Sequence, residues 1–361
     1  MEALAAVQTG NRTIEMQSIP VPDNLGDDEA LLAIEGNGMC GTDWIQYKGE
    51  GGQQARYPLI DGHETVGRIA RIGPAAAARL RVKEGDRVAL ESTRSCGLCA
   101  ACLNDQWLYC DNRLIYGLTS TTNEPGLNGG YAEYLLMRSN SRVYPIPDDL
   151  SIEDAVFFNP LGAGFDWCLR VAGTQLGDTV LIMGPGQRGL SCVIAAHEAG
   201  AARIIVGGRG IRPWKLDVAL QLGATHVVNT DKQSVVDVVR EVTDGAMVDR
   251  AIDTTPYMVK PVQDCLDSLR AEGTLVLTAQ KEDIVPDFTS RILGGALTVR
   301  GAYSVSEWAK HQAIRILSSR RYDLSSLHTH TFPIFELDRA MRTLGGEIAA
   351  ERAMHITVTP H

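Results

Sequence analysis

The chain has no apolar run approaching the ~20 residues that a membrane-spanning helix needs, and it has no excess of positive charge. Its 34 Lys and Arg stand against 44 Asp and Glu, leaving a formal charge of -10 and a pI near 5.3. The first lack points away from a membrane. The second points away from nucleic acid, because phosphate binding needs a basic face that nothing here supplies. The opening MEALAAVQTG has neither the basic nor the apolar region of a secretory leader, so a cytoplasmic location with reduced thiols is expected. Internal repeats and low-complexity tracts are also missing, and AAAA at 75–78 reads as a turn or a short helix. What remains is the composition of an ordinary globular protein, 44% hydrophobic and 22% charged, at a length of 361 residues that suits two domains better than one core.

Cysteine is where the chain departs from the ordinary. Cys96, Cys99, Cys102 and Cys110 follow the spacing C-x2-C-x2-C-x7-C. Four thiolates on one short lobe, at about 92–113, suit a tetrahedral structural Zn²⁺ that ties down a loop unable to bury its own core. Disulfide pairing is the competing reading, and a reducing compartment disfavours it. Of the remaining four cysteines, Cys168, Cys192 and Cys265 lie in apolar, helix-like stretches and read as small core residues. Cys40 does not.

Up to about Leu150 the text consists of short β-rich runs broken by Gly and Pro: LLAIEGNG, ETVGRIARIG, GDRVALES and GGYAEYLLM. This predicts a barrel-like β domain carrying the cysteine lobe. Beyond Ser151, strand-length apolar runs alternate with helix-length amphipathic ones. Six strands are predicted, at Thr179–Met183, Arg203–Val206, His226–Val228, Val248–Asp253, Thr274–Thr278 and Leu297–Arg300, with helices between them that include PWKLDVALQLG and PVQDCLDSLRAEG, each closed by Gly. Such alternation is that of a doubly wound parallel sheet. After Gly301 the rhythm is lost, and the last stretch of chain is expected to return to the first domain. The Gly-rich segments Gly49–Gly52 and Gly126–Gly130 read as loops, and the alternating His328 and His330 as surface residues of a strand.

Directly after DTVLIM comes Gly184-Pro-Gly186-Gln-Arg-Gly189, opening the helix LSCVIAAHEAG. Between a strand and a helix, the first Gly permits the tight turn, the second lets backbone approach a pyrophosphate, and the third lets helix and strand pack closely. At the end of the next strand, an Asp or Glu would hold the ribose 2′-OH of NAD. Here stand Gly207, Gly208 and Arg209, with Arg212 following. Arg209 can form charge-assisted hydrogen bonds to a 2′-phosphate, so NADP(H) is favoured over NAD(H). The alternative leaves Arg209 as a solvated loop residue beside NAD.

In the β domain, Cys40-Gly41-Thr42-Asp43 and Gly62-His63-Glu64 supply a thiol and an imidazole about twenty residues apart. A catalytic zinc is bound by such groups and keeps one position open for substrate. Alone, a single Cys or His is more often a core or surface residue. In a chain with a zinc lobe and a dinucleotide motif, the pair marks a second metal site.

The ordered set CGTD, GHE followed by TVGRI, the cysteine lobe, NGGYAEY, NPLG and GPGQRG resembles the zinc-dependent medium-chain alcohol and polyol dehydrogenases along essentially the whole chain. The resemblance implies a GroES-like catalytic domain from 1–155 and 301–361, a Rossmann domain at 156–300, an active site between the two, and a homodimer or homotetramer formed through the Rossmann domain. It implies that Cys40 and His63 bind catalytic zinc, that Thr42 accepts the substrate proton, that Asp43 orients the imidazole, that Glu64 sits at or near the metal, and that Cys96, Cys99, Cys102 and Cys110 bind structural zinc: two zinc ions per chain. Two departures stand out. Where relatives place a Cys or acidic ligand before Pro-Leu, this chain has Asn159, a poorer zinc ligand. With Cys40 as thiolate a net charge of about +1 would remain, so Glu64 is expected to bind zinc directly, with Asn159 a weak ligand or a hydrogen-bond donor; Asp166 lies too far along to substitute. Ile45 stands where many relatives have a proton-relay His.

The expected reaction is hydride transfer between a small-molecule alcohol and NADP(H), with a ketone or aldehyde in reverse. Trp44, Gln46 and the region of Phe158 are expected to line the pocket, and Trp107 to pack within the lobe. Polyol-specific relatives have Tyr and Glu where this chain has Gln46 and Asn159, which favours a secondary or bulky alcohol. The alternatives are an NAD-dependent polyol or amino-alcohol dehydrogenase, and a non-catalytic NADPH-binding zinc protein.

Overall fold

The computed structural model describes residues 1–50, 57–281 and 288–361. Two compact units divide the chain: Met1–Phe158 with Leu324–His361, and Asn159–Asp323. The return to the first unit falls at Leu324 rather than near Gly301, because residues 302–323 are held within the second unit. Trp167 Nε1 donates to Ser304 O, the Ser306 hydroxyl to Asp166, and Arg321 and Tyr322 to Glu198.

In the first unit the strand Ala30–Gly38 is central. It pairs antiparallel with Glu64–Ile72, Tyr134–Met137 and His355–Thr359, and the last of these runs parallel to His328–Pro333. The C-terminal residues therefore complete a seven-stranded sheet, while Thr13–Pro20, Glu2–Gly10 and Leu59–Ile60 form a three-stranded one. Alternating apolar residues supply the core, among them Val7, Leu32, Ile34, Ile69, Val88, Leu135 and Ile356, all buried. AAAA at 75–78 lies in the helix Pro74–Leu80. Gly51 and Gly52 lie outside the described residues.

Gly126–Gly130 is more than a loop. A Cβ at Gly129 would stand 1.9 Å from Ile60 O, and one at Gly130 would stand 2.2 Å from Asn37 Oδ1. Backbone here lies directly on the segment that leads into His63, and only glycine fits.

The second unit is a six-stranded parallel sheet in the order His226–Asn229, Arg203–Gly208, Thr179–Met183, Val248–Asp253, Leu269–Leu277 and Thr298–Gly301. Its order reverses beside Thr179–Met183, which creates the crevice where such sheets take ligands. All five residues of that strand are buried, as a strand covered on both faces requires. The helix expected over PVQDCLDSLRAEG ends at Ser268, not at Gly273. Leu269 already pairs with Val248, the exposed residues Arg270–Glu272 bulge out of register, and Glu272 at φ 62° with Gly273 turns the chain back into the sheet. Cys168, Cys192 and Cys265 are buried, and burial pushes their thiols up, Cys168 to about 12. No helix among the described residues is long and apolar enough to cross a membrane.

Candidate active site and metal centres

Cys40 ends the central strand region and caps the helix Gly41–Tyr47. Its Sγ accepts from Thr42 N at 3.3 Å, and its own N–H donates to Asp43 Oδ2 at 2.7 Å, a reciprocal cap that sets both side chains. His63 arrives from Leu59–Ile60 through Gly62, whose φ of +90° suits glycine. Its Nε2 lies 3.1 Å from Cys40 Sγ, and its Nδ1 lies 3.2 Å from Asp43 Oδ1. Glu64 opens the next strand, fully buried, with its N–H donating to Asn37 Oδ1 at 3.1 Å. Ligand atoms of Cys40, His63 and Glu64 all lie within 4.8 Å of one another.

Burial disfavours an imidazolium at His63, yet Cys40 and Asp43, by charge and hydrogen bonding, hold its pKa well above the ordinary value. Positive charge between those two groups is therefore favoured, which suits a cation there. Burial likewise works against ionisation of Asp43, but His63 outweighs it and the pKa falls below the usual carboxylate value. Asp61 behaves oppositely: burial and then the charge of Asp43 raise it well above that value.

Asp61 and Tyr131 escaped the sequence reading. Tyr131, buried, donates to Asp43 Oδ2 at 3.2 Å, so the NGGYAEY segment buttresses the carboxylate behind His63. The signal was present in the motifs, one residue before GHE and inside NGGY, but nothing in one dimension says they meet.

The four lobe cysteines are free thiols. Their Sγ atoms also lie within 4.8 Å of one another, with Cys96 and Cys102 at 3.9 Å and Cys99 and Cys102 at 3.5 Å. Ligands of tetrahedral Zn²⁺ at about 2.3 Å stand about 3.8 Å apart, so these residues fit the ion and not disulfides. Backbone N–H groups of Leu98 and Cys99 lower Cys96 to about 6, which favours the thiolate. Trp107 packs in the lobe beneath the Arg142 guanidinium, 4.3 Å from its ring centroid.

Asn159 begins the second unit, nearly buried, in the helix Phe158–Phe165. Asp166 accepts two hydrogen bonds from Arg170 as well as the one from Ser306 and is occupied there. Trp44 does not fit the expected pocket lining. It stacks on Tyr47 at 5.6 Å, lies beneath Arg12 and Lys48, and packs so closely on Gly345 that a Cβ there would meet it at 2.4 Å. Gln46 is 1% exposed, and neither atom of its amide has a hydrogen-bond partner among the described residues.

In the second unit, Gly184 has φ +100°, and a Cβ on Gly189 would stand 1.9 Å from Gly184 O. A Cβ on Gly186 would meet nothing within 4 Å. Two glycines thus shape the turn, and the third leaves open space before the helix Gln187–Glu198, as a pyrophosphate cradle needs. Gly208 packs on Pro185, at 2.5 Å from a built Cβ. Arg209 lies 3.5 Å from Asp231, with both side chains largely exposed. Lys215, missed in the sequence, stands near the exposed Arg212; burial, with Arg212 adding, pulls its ammonium down to about 8.

The family model of the alcohol dehydrogenase GroES-like domain matches residues 26–148, and that of zinc-binding dehydrogenases matches 189–319. A Mycobacterium tuberculosis protein assigned as an alcohol dehydrogenase is 36% identical across 99% of this chain and 98% of its own. The chain belongs to the zinc-dependent medium-chain dehydrogenases. The sorbitol dehydrogenase of Bacillus subtilis is 31% identical over 93% of this chain and 92% of its own. An alcohol dehydrogenase structure from Thermotoga maritima, 22% identical, covers both chains completely with a TM-score of 0.89 and shares the fold. This dehydrogenase is an enzyme of an enzymatic family, which sets aside the non-catalytic alternative.

Proposed function

We propose that this dehydrogenase interconverts a secondary or bulky alcohol and its carbonyl, with NADP(H) as hydride carrier and zinc at Cys40, His63 and Glu64. The convergence of these three donors, with Asp43 behind the imidazole, carries the reading. When bound, zinc in such a site lowers the pKa of an alcohol and polarises a carbonyl. Cys40 and Glu64 together balance the ion's charge, so the first unit supplies a complete set of three donors without the neutral Asn159. Asp43, facing Nδ1, fixes the tautomer that leaves Nε2 for the metal. Thr42, exposed and anchored through its N–H on Cys40, accepts the substrate proton. That exposure also lets the proton leave to water where Ile45 offers no imidazole.

For the cofactor, Gly184, Gly186 and Gly189 take the pyrophosphate, and Gly208, Arg209 and Arg212 line the adenosine end, joined by Lys215. Arg209 pairs there with Asp231. An ion pair as exposed as Arg209 with Asp231 is worth under about 1 kcal/mol, which leaves Arg209 available to a 2′-phosphate. A second substrate reading rests on Gln46, one helical turn after Thr42 on the same face. Its buried amide would be satisfied by a further substrate oxygen, which favours a polyol or amino alcohol of the kind named for relatives such as sorbitol dehydrogenase and the L-threonine 3-dehydrogenase of Xanthomonas oryzae. The exposed edge strand Thr298–Gly301 supports assembly as a homodimer or homotetramer.

The test joins metal analysis to initial rates with NADP⁺ and NAD⁺ over primary alcohols, secondary alcohols and polyols. Two zinc ions per chain are expected, with Glu64→Ala losing the catalytic one and keeping the lobe ion; retention of both removes Glu64 from the site. A charge-assisted contact of about 1.5–3 kcal/mol implies roughly a tenfold or greater preference for NADP⁺, lost in Arg209→Ala. Equal rates with both cofactors overturn the NADP(H) assignment.

A further inference from the structure

Asp253 ends the strand Val248–Asp253 in register with Met183 on one side and Leu277 on the other, at the carboxyl edge of the sheet where Gly184 turns toward the helix Gln187–Glu198. It is fully buried. Its Oδ1 accepts from Thr255 N at 2.9 Å and from the Thr255 hydroxyl at 2.6 Å, and its Oδ2 faces Lys281 Nζ at 2.5 Å. The Lys281 side chain is 7% exposed, and its ammonium donates in turn to Thr255 O and to Thr255 Oγ1, so its three donor positions are taken. Thr254, held between these groups, reaches the glycine turn. Its N–H donates to Met183 O at 2.9 Å, and its hydroxyl lies 2.9 Å from Met183 O and 3.0 Å from Gly184 O. A Cβ at Gly184 would stand 2.7 Å from Thr254 Oγ1 and 3.0 Å from Thr255 Cγ2.

A buried ion pair is a poor device for merely holding a strand end. Desolvation of two charges offsets their attraction, and apolar residues of like volume hold as well or better. What the pair adds is direction: an ammonium with three acceptors and a carboxylate with two donors lock residues 253–255 into one geometry. Those residues bear on the Gly184 carbonyl, which already stands 1.9 Å from where Gly189 would carry a Cβ. Any displacement of Gly184 therefore passes to the glycine turn and to the first N–H groups of the helix, whose hold on a pyrophosphate depends on their aim. We propose that Lys281 is a positioning residue for the cofactor pyrophosphate: with Asp253 it fixes Thr255, and through Thr254 it sets the Gly184 turn. The inference rests on the assignment of Gly184, Gly186 and Gly189 to the pyrophosphate made above.

The experiment measures dissociation constants by calorimetry for two probes, ADP-ribose and adenosine, each carrying a 2′-phosphate, so that only the first has a pyrophosphate. Lys281→Met is expected to weaken the ADP-ribose probe by about tenfold, the loss of one hydrogen bond to a charged group, and to leave the adenosine probe unchanged. That variant also strands the Asp253 carboxylate and is expected to melt lower. The double variant Lys281→Met with Asp253→Asn removes both charges and keeps an acceptor for Thr255. It is expected to recover the melting temperature while binding the ADP-ribose probe as weakly as Lys281→Met does. Thr254→Val is expected to weaken the same probe, and Lys281→Met to add nothing in that background, because the two act as a unit. Wild-type affinity in the double variant, an equal loss for both probes, or full additivity with Thr254→Val overturns the inference. Should neither Lys281 variant melt cooperatively, Thr254→Val alone decides, and unaltered binding of the ADP-ribose probe overturns the inference. A wild-type chain that binds both probes equally removes the pyrophosphate assignment itself; unequal binding with unaltered variants removes only the role of Lys281.

Discussion

One carboxylate, Asp43, joins three parts of the first unit: the cap of its own helix through Cys40 N, the imidazole of His63, and the hydroxyl of Tyr131. The resemblance carried by CGTD implied the role toward His63, while the cap on Cys40 N, three residues back, was not foreseen although local chain geometry enforces it. Tyr131 was out of reach, being 88 residues away. The same distinction governs Lys215. In the sequence it is one more helix cation, while in the fold burial and the charge of Arg212 lower it to about 8 from its ordinary 10.5. The folded chain therefore sheds this proton before the unfolded chain does. The cost of burying the ammonium is complete below about pH 8 and fades as pH rises toward 10.5. A 2′-phosphate favours the charged form, so NADPH affinity is expected to be level below about pH 8 and to fall above it, with NADH affinity unaltered. Lys215→Met should bind NADPH more weakly and without that fall. Fluorescence titration of both cofactors checks this, and a wild-type NADPH profile level to about pH 9.5 would contradict it.

Among elements, the cysteine lobe shows most clearly what metal replaces. Leu98, Leu103 and Tyr109 are 81%, 73% and 57% exposed, so apolar burial does little to hold this segment. Trp107 supplies on the order of 2–3 kcal/mol, whereas a structural zinc supplies on the order of 10 kcal/mol. Cys99→Ser should therefore lower the zinc content by one per chain and raise amide exchange across residues 92–113, with the metal at Cys40 and His63 retained. Loss of both ions, or unchanged exchange in the lobe, would contradict two independent sites. The lobe was legible because its spacing alone states its chemistry. All six parallel strands were legible too, the inner ones as the apolar runs that a sheet covered on both faces requires. The end of the helix Lys260–Ser268 was not, since Leu269 leaves it to pair with Val248, a partner 21 residues back that helical periodicity does not report.

At the scale of the whole molecule, the strand Thr298–Gly301 lies at one edge of the parallel sheet with all four residues exposed, and Leu293, Val299, Tyr303 and Trp308 add exposed apolar surface. An uncovered edge of this kind invites pairing with a second copy. Val299→Lys is expected to shift the protein toward monomer in light scattering after gel filtration, with zinc content and melting cooperativity kept; an unchanged mass would place assembly elsewhere. The sequence by itself determined the two-domain α/β architecture, the lobe, the glycine turn and the candidate ligands Cys40, His63 and Glu64, because each is written in residues close together in the chain. Tertiary structure alone decided that the return to the first unit, itself expected, falls at Leu324, that Trp44 packs on Gly345, that Asp61 and Tyr131 stand behind His63, and that His355 faces Glu64 across Gly38. These depend on contacts between residues tens to hundreds of positions apart. Local periodicity records which face of a strand is buried, but not which distant strand arrives to bury it.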